Sequence, residues 1–400
     1  MRRRAALKTL AALPLSALLS TRLYAAPAAG TPKLLVVFLR GGYDAANLLV
    51  PVSSDFYYAA RPGIAVPRPV PAAAAPAPES ALALDADWGL HPALRETVLP
   101  LYQKKQAAFV AFAGTDDLTR SHFETQDSIE LGQPIAGRRD FGSGFMNRLA
   151  AVLAGRAPIA FTDQLPLAFR GSVEVPNMSL RNIAKGGFDE RQTRLVQSMY
   201  QGTHLAAQVD EGFALRDAVA HDIGEMETAN RNAVNAKGFE LEARRIARLM
   251  HERYDLGFVD IGGWDTHVGE GGATGYLAGR FDELGRGLAA YADEMGDRWR
   301  DSVVVVLSEF GRTFRENGNK GTDHGHGSVY WVLGGSLAGG RVAGEQVRVT
   351  QSTLFQNRDY PVLNDYRAVL GGLVARMYGL NAAQSEKVFP TVLPKDLGLV

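Results

Sequence analysis

The chain has 400 residues, 46% hydrophobic and 22% charged, an ordinary globular composition with enough apolar side chains for a sizeable core. Its 43 Lys and Arg balance 43 Asp and Glu, so the basic excess of a general nucleic-acid binder is missing. There is no cysteine, which excludes disulfides, thiolate metal sites, iron–sulfur clusters and a thiol nucleophile.

Residues 1–28 read as a signal peptide. A basic start (Arg2, Arg3, Arg4, Lys8) precedes a short apolar run from Thr9 to Leu19, and Ala25, Ala26 and Ala28 offer cleavage positions. Arg3-Arg4-x-x-Leu7-Lys8 is similar to a twin-arginine export signal, an ordinary secretory signal being the alternative. The expectation is a periplasmic or secreted bacterial protein that the twin-arginine export machinery carries in folded form. Residues 29–400 are expected to form one domain. No later apolar run reaches the roughly 18 residues of a membrane span, so no stable membrane insertion is expected.

In chain order, Lys33 to Leu39 is an apolar run that predicts a strand buried on both faces. It ends in Arg40-Gly41-Gly42-Tyr43-Asp44, a tight turn with a carboxylate just beyond it. Residues 61–80 hold six prolines and predict an extended surface loop. Pro92 opens a predicted helix to Gln106, and Ala107 to Ala113 is the next buried strand. Ser121-x-x-Glu124 fits a capping box, placing a helix over residues 121–131. A helix over 141–154, a short strand over 157–161 and a long helical region over 189–253 follow. Leu256 to Ile261 is another buried strand, left by Gly262-Gly263-Trp264-Asp265-Thr266-His267. A helix from Gly275 to Trp299 leads to the valine-rich strand Val303–Leu307, which ends in Ser308-Glu309-Phe310-Gly311-Arg312. Asp323-His324-Gly325-His326 precedes a strand over 329–333, and Asp365 to Tyr378 is an amphipathic helix.

Strands alternating with long helices predict an α/β fold with a mostly parallel sheet. In such a sheet the carboxyl ends of the strands share one edge. Asp44, Ser121, His122, Asp265, His267 and Glu309 follow strands or open the next helix, and Asp323, His324 and His326 lie in a loop between strands. Carboxylates mixed with imidazoles suit zinc, manganese or iron, whereas oxygen-only sets suit calcium or magnesium. Each group also has a structural alternative. Asp265 can cap a turn, Glu309 can start a helix, and one histidine of the late cluster can orient a ligand rather than bind metal. Ser121 can serve as a helix cap, as a nucleophile in the positive field of a helix start, or as both. Arg40, Arg120 and Arg312 suit either internal salt bridges or bidentate contacts to phosphate or sulfate. His91, His204, His221 and His251 lack such context and are expected to be structural.

Arg40-Gly-Gly-x-Asp44, Leu90-His-Pro-Ala-Leu94, Arg120-Ser-His-Phe-Glu124, Gly263-Trp-Asp-Thr-His267, Ser308-Glu-Phe-Gly-Arg312 and Asp323-His324 occur in this order. Together they resemble an exported bacterial family of unknown function, domain 1501, which is grouped with the alkaline-phosphatase-like superfamily of phosphatases and sulfatases. The resemblance spans about residues 33 to 395. It implies a three-layer α/β/α sandwich and an exported, metal-dependent hydrolase acting on a small anionic phosphate or sulfate ester. It implies Ser121 as nucleophile, and Arg120, His122 and Arg312, which stand beside the motifs, are expected to act with it. It implies one or two divalent ions (zinc, manganese, calcium or magnesium) held among Asp44, Asp265, His267, Glu309, Asp323, His324 and His326. Phe310 stands where the superfamily usually has a histidine ligand, which points to one ion or a rearranged pair. The alternative is a non-catalytic binding protein on the same fold.

Overall fold

The computed structural model describes residues 30–70, 77–180, 190–210, 212–214 and 238–400. The expected signal peptide, residues 71–76 of the proline-rich stretch, His221 and most of residues 211–237 of the expected helical region lie outside the described residues.

The strands are β1 (Lys33–Leu39), β2 (Leu49–Pro51), β3 (Leu82–Ala83), β4 (Trp88–Leu90), β5 (Ala107–Gly114), β6 (Pro158–Phe161), β7 (Leu256–Ile261), β8 (Ser302–Ser308), β9 (Ser328–Gly334), β10 (Val342–Ala343) and β11 (Asn364–Asp365). The main sheet has the order β10-β5-β9-β8-β1-β7-β6, with β11 beside β5. β1 runs parallel to both β7 and β8, and β6 runs parallel to β7. β9 runs against its neighbours β5 and β8. The carboxyl ends of β1, β5, β6, β7 and β8 therefore lie along one edge. A small antiparallel sheet of β2, β4 and β3 stands apart.

The helices are α1 (Ala45–Leu48), α2 (Asp55–Ala60), α3 (Val98–Gln103), α4 (His122–Leu131), α5 (Phe145–Val152), α6 (Glu190–Tyr200), α7 (Phe239–Glu252), α8 (Tyr276–Glu294), α9 (Tyr366–Tyr378) and α10 (Ala382–Val388). Every residue of β1 is buried, and alternate side chains enter two different cores. Leu35, Val37 and Leu39 pack with Ile246 of α7 and Phe281 of α8. Leu34, Val36 and Phe38 pack with Ile129 of α4, Leu149 of α5 and Leu373 of α9. Helices thus cover both faces, which is why the central strands read as unbroken apolar runs. The architecture is a three-layer α/β/α sandwich, as expected.

Several local expectations change. The helix expected from Pro92 is a short 3-10 turn, Pro92–Leu94, followed by α3. Pro100 has no N–H and fits only in a first turn, so α3 begins at Val98. The helix expected to reach Trp299 ends at Glu294, where Gly296, at φ +51°, turns the chain into a 3-10 segment. The stretch 61–80 is not simply a surface loop, because Arg61, Ile64 and Val66 are fully buried.

Candidate metal centre

Four segments deliver polar groups to the carboxyl edge of the sheet. After β1, Gly41 and Gly42 turn the chain at φ +125° and +64°. A Cβ on Gly41 would lie 2.7 Å from the backbone nitrogen of Asp265, so only glycine permits this approach. After β7, Trp264 is fully buried against Tyr43 and Phe281, with ring centroids 5.9 and 5.7 Å away. That anchor fixes the chain on which Asp265 and His267 stand. After β8 comes Glu309, also fully buried. Beyond it, residues 311–313 and 323–326 run side by side, with Thr313 N donating to Asp323 O and Gly311 N to His326 O, both at 2.9 Å. The buried Glu270 accepts from Thr266 Oγ1 and Thr322 Oγ1, each at 2.7 Å, and so straps the β7 and β8 loops together.

Around Asp265 the structure gathers His122, His267 and His324. His122 Nε2 lies 3.5 Å from Asp265 Oδ2, and His324 Nε2 lies 3.3 Å from Oδ1. His267 Nε2 lies 2.9 Å from Asp265 Oδ1 and 3.1 Å from His324 Nε2. Two ligands each about 2 Å from one ion at the tetrahedral angle would be about 3.3 Å apart, so these separations suit a shared cation. Among the described residues, the one group of three or more donors all within 4.8 Å of one another is His122, Asp265 and His324, and His267 adjoins it through Asp265 and His324.

The far sides of the three imidazoles are all tied to acceptors. His122 Nδ1 is 2.8 Å from Glu309 Oε1, His267 Nδ1 is 3.2 Å from Asp323 Oδ1, and His324 Nδ1 is 2.9 Å from the carbonyl of Arg120. Ionised carboxylates and carbonyls only accept, so each Nδ1 is the donor and each Nε2 is the nitrogen left facing inward. This is the outer arrangement that orients histidine ligands in metal sites. His122 Nε2 is buried without a hydrogen-bond partner, a cost that a bound cation would remove. The donor set therefore fits a divalent transition-metal ion.

Charge points the same way. Glu309 accepts from Gly41 N, His122 Nδ1 and Gln126 Nε2 on Oε1, at 2.8 to 2.9 Å, and from Ser308 Oγ on Oε2. Burial pushes its carboxyl up, but His122 and these other donors outweigh it and hold Glu309 below the usual carboxylate value. The hydrogen bond that His122 donates to Glu309 in turn raises His122 against its burial. Asp265 also lies below its ordinary value, because Arg312, at 2.5 Å, overrides desolvation. Burial draws His324 down.

The structure thus brings together Asp265, His267 and His324 of the expected ligands and adds His122, expected beside the nucleophile. It separates the others. Asp44 gives both oxygens to the fully buried Arg61 and caps α1, so its carboxylate is committed. Glu309 stands behind His122 and Asp323 behind His267, each touching a ligand candidate rather than an ion position. His326 packs on Phe355, with ring centroids 5.0 Å apart, and burial holds it down at about 4. Ser121 is the N-cap residue of α4, but its side chain makes no capping bond, so the expected capping box does not form. Arg120 is committed to Asp359 and Gln356, and Arg312 to Asp265 and Thr322. Phe310 is a wall of the site, its ring 4.9 Å from His122 and 5.2 Å from His324.

Arg61, Gln126, Glu270 and Asp359 went unnoticed in the sequence. Gln126 alone carried a usable signal, since position i+4 from His122 on a helix shares its face.

Among solved structures, a lipoteichoic acid synthase, LtaP, from Listeria monocytogenes aligns at 9% identity and TM-score 0.38, over 93% of this chain and 77% of that one. An alkaline phosphatase superfamily protein from Vibrio parahaemolyticus aligns at 11% identity and TM-score 0.35, over 76% of this chain and 60% of that one. The zinc complex of the C-terminal periplasmic domain of EptC from Escherichia coli aligns at 8% identity and TM-score 0.33, over 76% and 73%. No curated protein matches the chain. Residues 31–391 match the model described as "Protein of unknown function (DUF1501)", and the chain belongs to that family.

Proposed function

We propose that the protein is an exported, metal-dependent hydrolase of phosphate or sulfate esters, with Ser121 as nucleophile and one divalent ion held by His122, Asp265, His267 and His324. The observation that carries this proposal is the convergence of three oriented imidazoles on Asp265, one of which, His122, directly follows in sequence a serine whose hydroxyl is not used as a cap. The resemblance of the motifs to a family grouped with phosphatases and sulfatases supports the substrate class, and the twin-arginine-like start supports export. No helix among the described residues is long and apolar enough to cross a membrane.

When bound, the ion would polarise an ester oxygen and stabilise developing charge. Ser121 Oγ would bond to the phosphorus or sulfur centre and lose its proton to water. The bond to the leaving oxygen would break, that oxygen taking a proton from water to depart as the alcohol, and a second water would then release the anion and return a proton to Ser121 Oγ. Backbone N–H groups at the start of α4 would hold the equatorial oxygens. Arg120 and Arg312 act through the site's own carboxylates rather than on the ester. Glu309 and Asp323 keep the imidazole tautomers fixed.

The commitment of both arginines to internal partners favours a second reading, a binding protein on the same fold. A panel of aryl phosphates and sulfates separates the two. The hydrolase account expects metal-dependent turnover that Ser121→Ala abolishes while metal content stays unchanged. Equal hydrolysis by Ser121→Ala would remove the nucleophile assignment, and no turnover by metal-loaded wild type would leave the binding protein.

A further inference from the structure

We infer that Asp359 is a positioning residue for the candidate metal centre, fixing both the ring and the main chain of His324 through Arg120 and Arg358. The inference rests on the proposal that His324 is a metal ligand. Asp359 is fully buried and lies far in sequence from every motif that marks the site. Its Oδ2 accepts from Arg120 Nε at 3.0 Å and Arg120 Nη2 at 2.7 Å, and both oxygens accept from Arg358 Nη1 at 2.9 Å.

Each arginine then reaches the same histidine. Arg358 Nη2 donates to the carbonyl of His324 at 2.8 Å. The carbonyl of Arg120 accepts from His324 Nδ1 at 2.9 Å. The contacts close a ring that runs from Asp359 through Arg120 to the imidazole, along His324 to its carbonyl, and back through Arg358. One arginine would satisfy a buried carboxylate. Two arginines whose other contacts meet on one side chain give that side chain a fixed place.

Backbone geometry adds an independent sign. Arg120 has φ +53°, the left-handed region that a non-glycine residue rarely occupies. That conformation accompanies the carbonyl contact to His324 and leads directly into Ser121, the N-cap of α4. Tying down the Arg120 side chain holds this conformation in place. Asp359 thereby couples the nucleophile candidate to the late histidine ligand.

The test uses the full chain, with Asp359→Asn and Arg358→Ala compared with wild type at pH 8. Histidine ¹⁵N spectra of metal-stripped protein report the tautomer of each ring, with His324→Gln identifying the His324 signals. Wild type should show His324 protonated at Nδ1. Asp359→Asn should shift it toward a mixture while the His122 and His267 signals stay in place. Cobalt(II) titration of the same samples should show affinity lower by about tenfold to a hundredfold in Asp359→Asn. If circular dichroism shows that Asp359→Asn does not fold, Arg358→Ala, which removes the second arm alone, should still lower affinity by about tenfold. His324 protonated at Nε2 in wild type, or cobalt affinity unchanged within about twofold in every folded variant, overturns the inference. Wild type that binds no cobalt while His324 still shows the Nδ1–H tautomer defeats the metal proposal but not the clamp.

Discussion

Replacing Glu309 by glutamine isolates the contribution of a buried carboxylate to the proposed metal centre. The change keeps the side chain's shape but removes its charge, and it puts an NH₂ group where one of two acceptor oxygens stood. Oε1 accepts three hydrogen bonds, and Oε2 faces only Ser308 Oγ, a hydroxyl that also reaches Leu39 O and can accept. Glutamine can therefore set its NH₂ on Ser308 and keep its carbonyl toward His122, and what the change removes is the charge. The 2.8 Å bond to His122 is charge-assisted, a class that contributes about 1.5–3 kcal/mol. Reducing it to a neutral bond, worth about 0.5–1.5 kcal/mol, should weaken metal binding by about fivefold to tenfold, at roughly 1.4 kcal/mol per factor of ten. The metal-free protein should respond too. Glu309 raises His122 in the fold, so its support is present below the unfolded histidine value and fades as pH rises through the folded one. Glu309→Gln should flatten that part of the pH–stability curve. Cobalt or zinc titration with urea melts at several pH values reads both effects. Metal affinity within about twofold of wild type would refute the claim that Glu309 orients a ligand.

Other outcomes follow from groups outside the centre. His91 is buried, accepts from Ala93 N on Nδ1 and contacts Gly272 O through Nε2, and burial lowers it from 6.5 to about 4. The unfolded chain takes up a proton as pH falls below 6.5, whereas the fold resists until about 4, so about 3 kcal/mol of stability should be lost across that window. His91→Gln should lack this loss, and identical urea midpoints across the window in both proteins would contradict it. Arg61 is fully buried and pairs with Asp44. Arg61→Met should cost about 3–5 kcal/mol by stranding a buried carboxylate, and adding Asp44→Asn should recover part of that cost. A destabilisation below about 1 kcal/mol would show that the pair is not needed.

Much of the fold was legible because burial on both faces leaves a plain mark. Lys33–Leu39, Leu256–Ile261 and the valines of β8 could hardly be anything but central strands, and their ends located the site. That Asp265, His267 and His324 meet was recoverable from that edge. The division of labour among carboxylates was not. Glu309 and Asp323 look as suitable for metal as Asp265 in the sequence, and only the facing of particular nitrogens and oxygens sets them behind His122 and His267. Asp44 was misread because its partner, 17 residues on, sits in a proline-rich stretch that resembles surface. Asp359 lies 239 residues from Arg120, and no local pattern records such a pairing. β10 and β11 are two residues each, too short for any periodicity to show.

The most direct measurement is metal content, with X-ray absorption at the metal edge, on protein folded and exported by its native host. The account predicts one transition-metal ion per chain, with about three imidazole nitrogens and at least one oxygen near 2 Å. Two ions per chain, an oxygen-only shell, or no bound metal would contradict it.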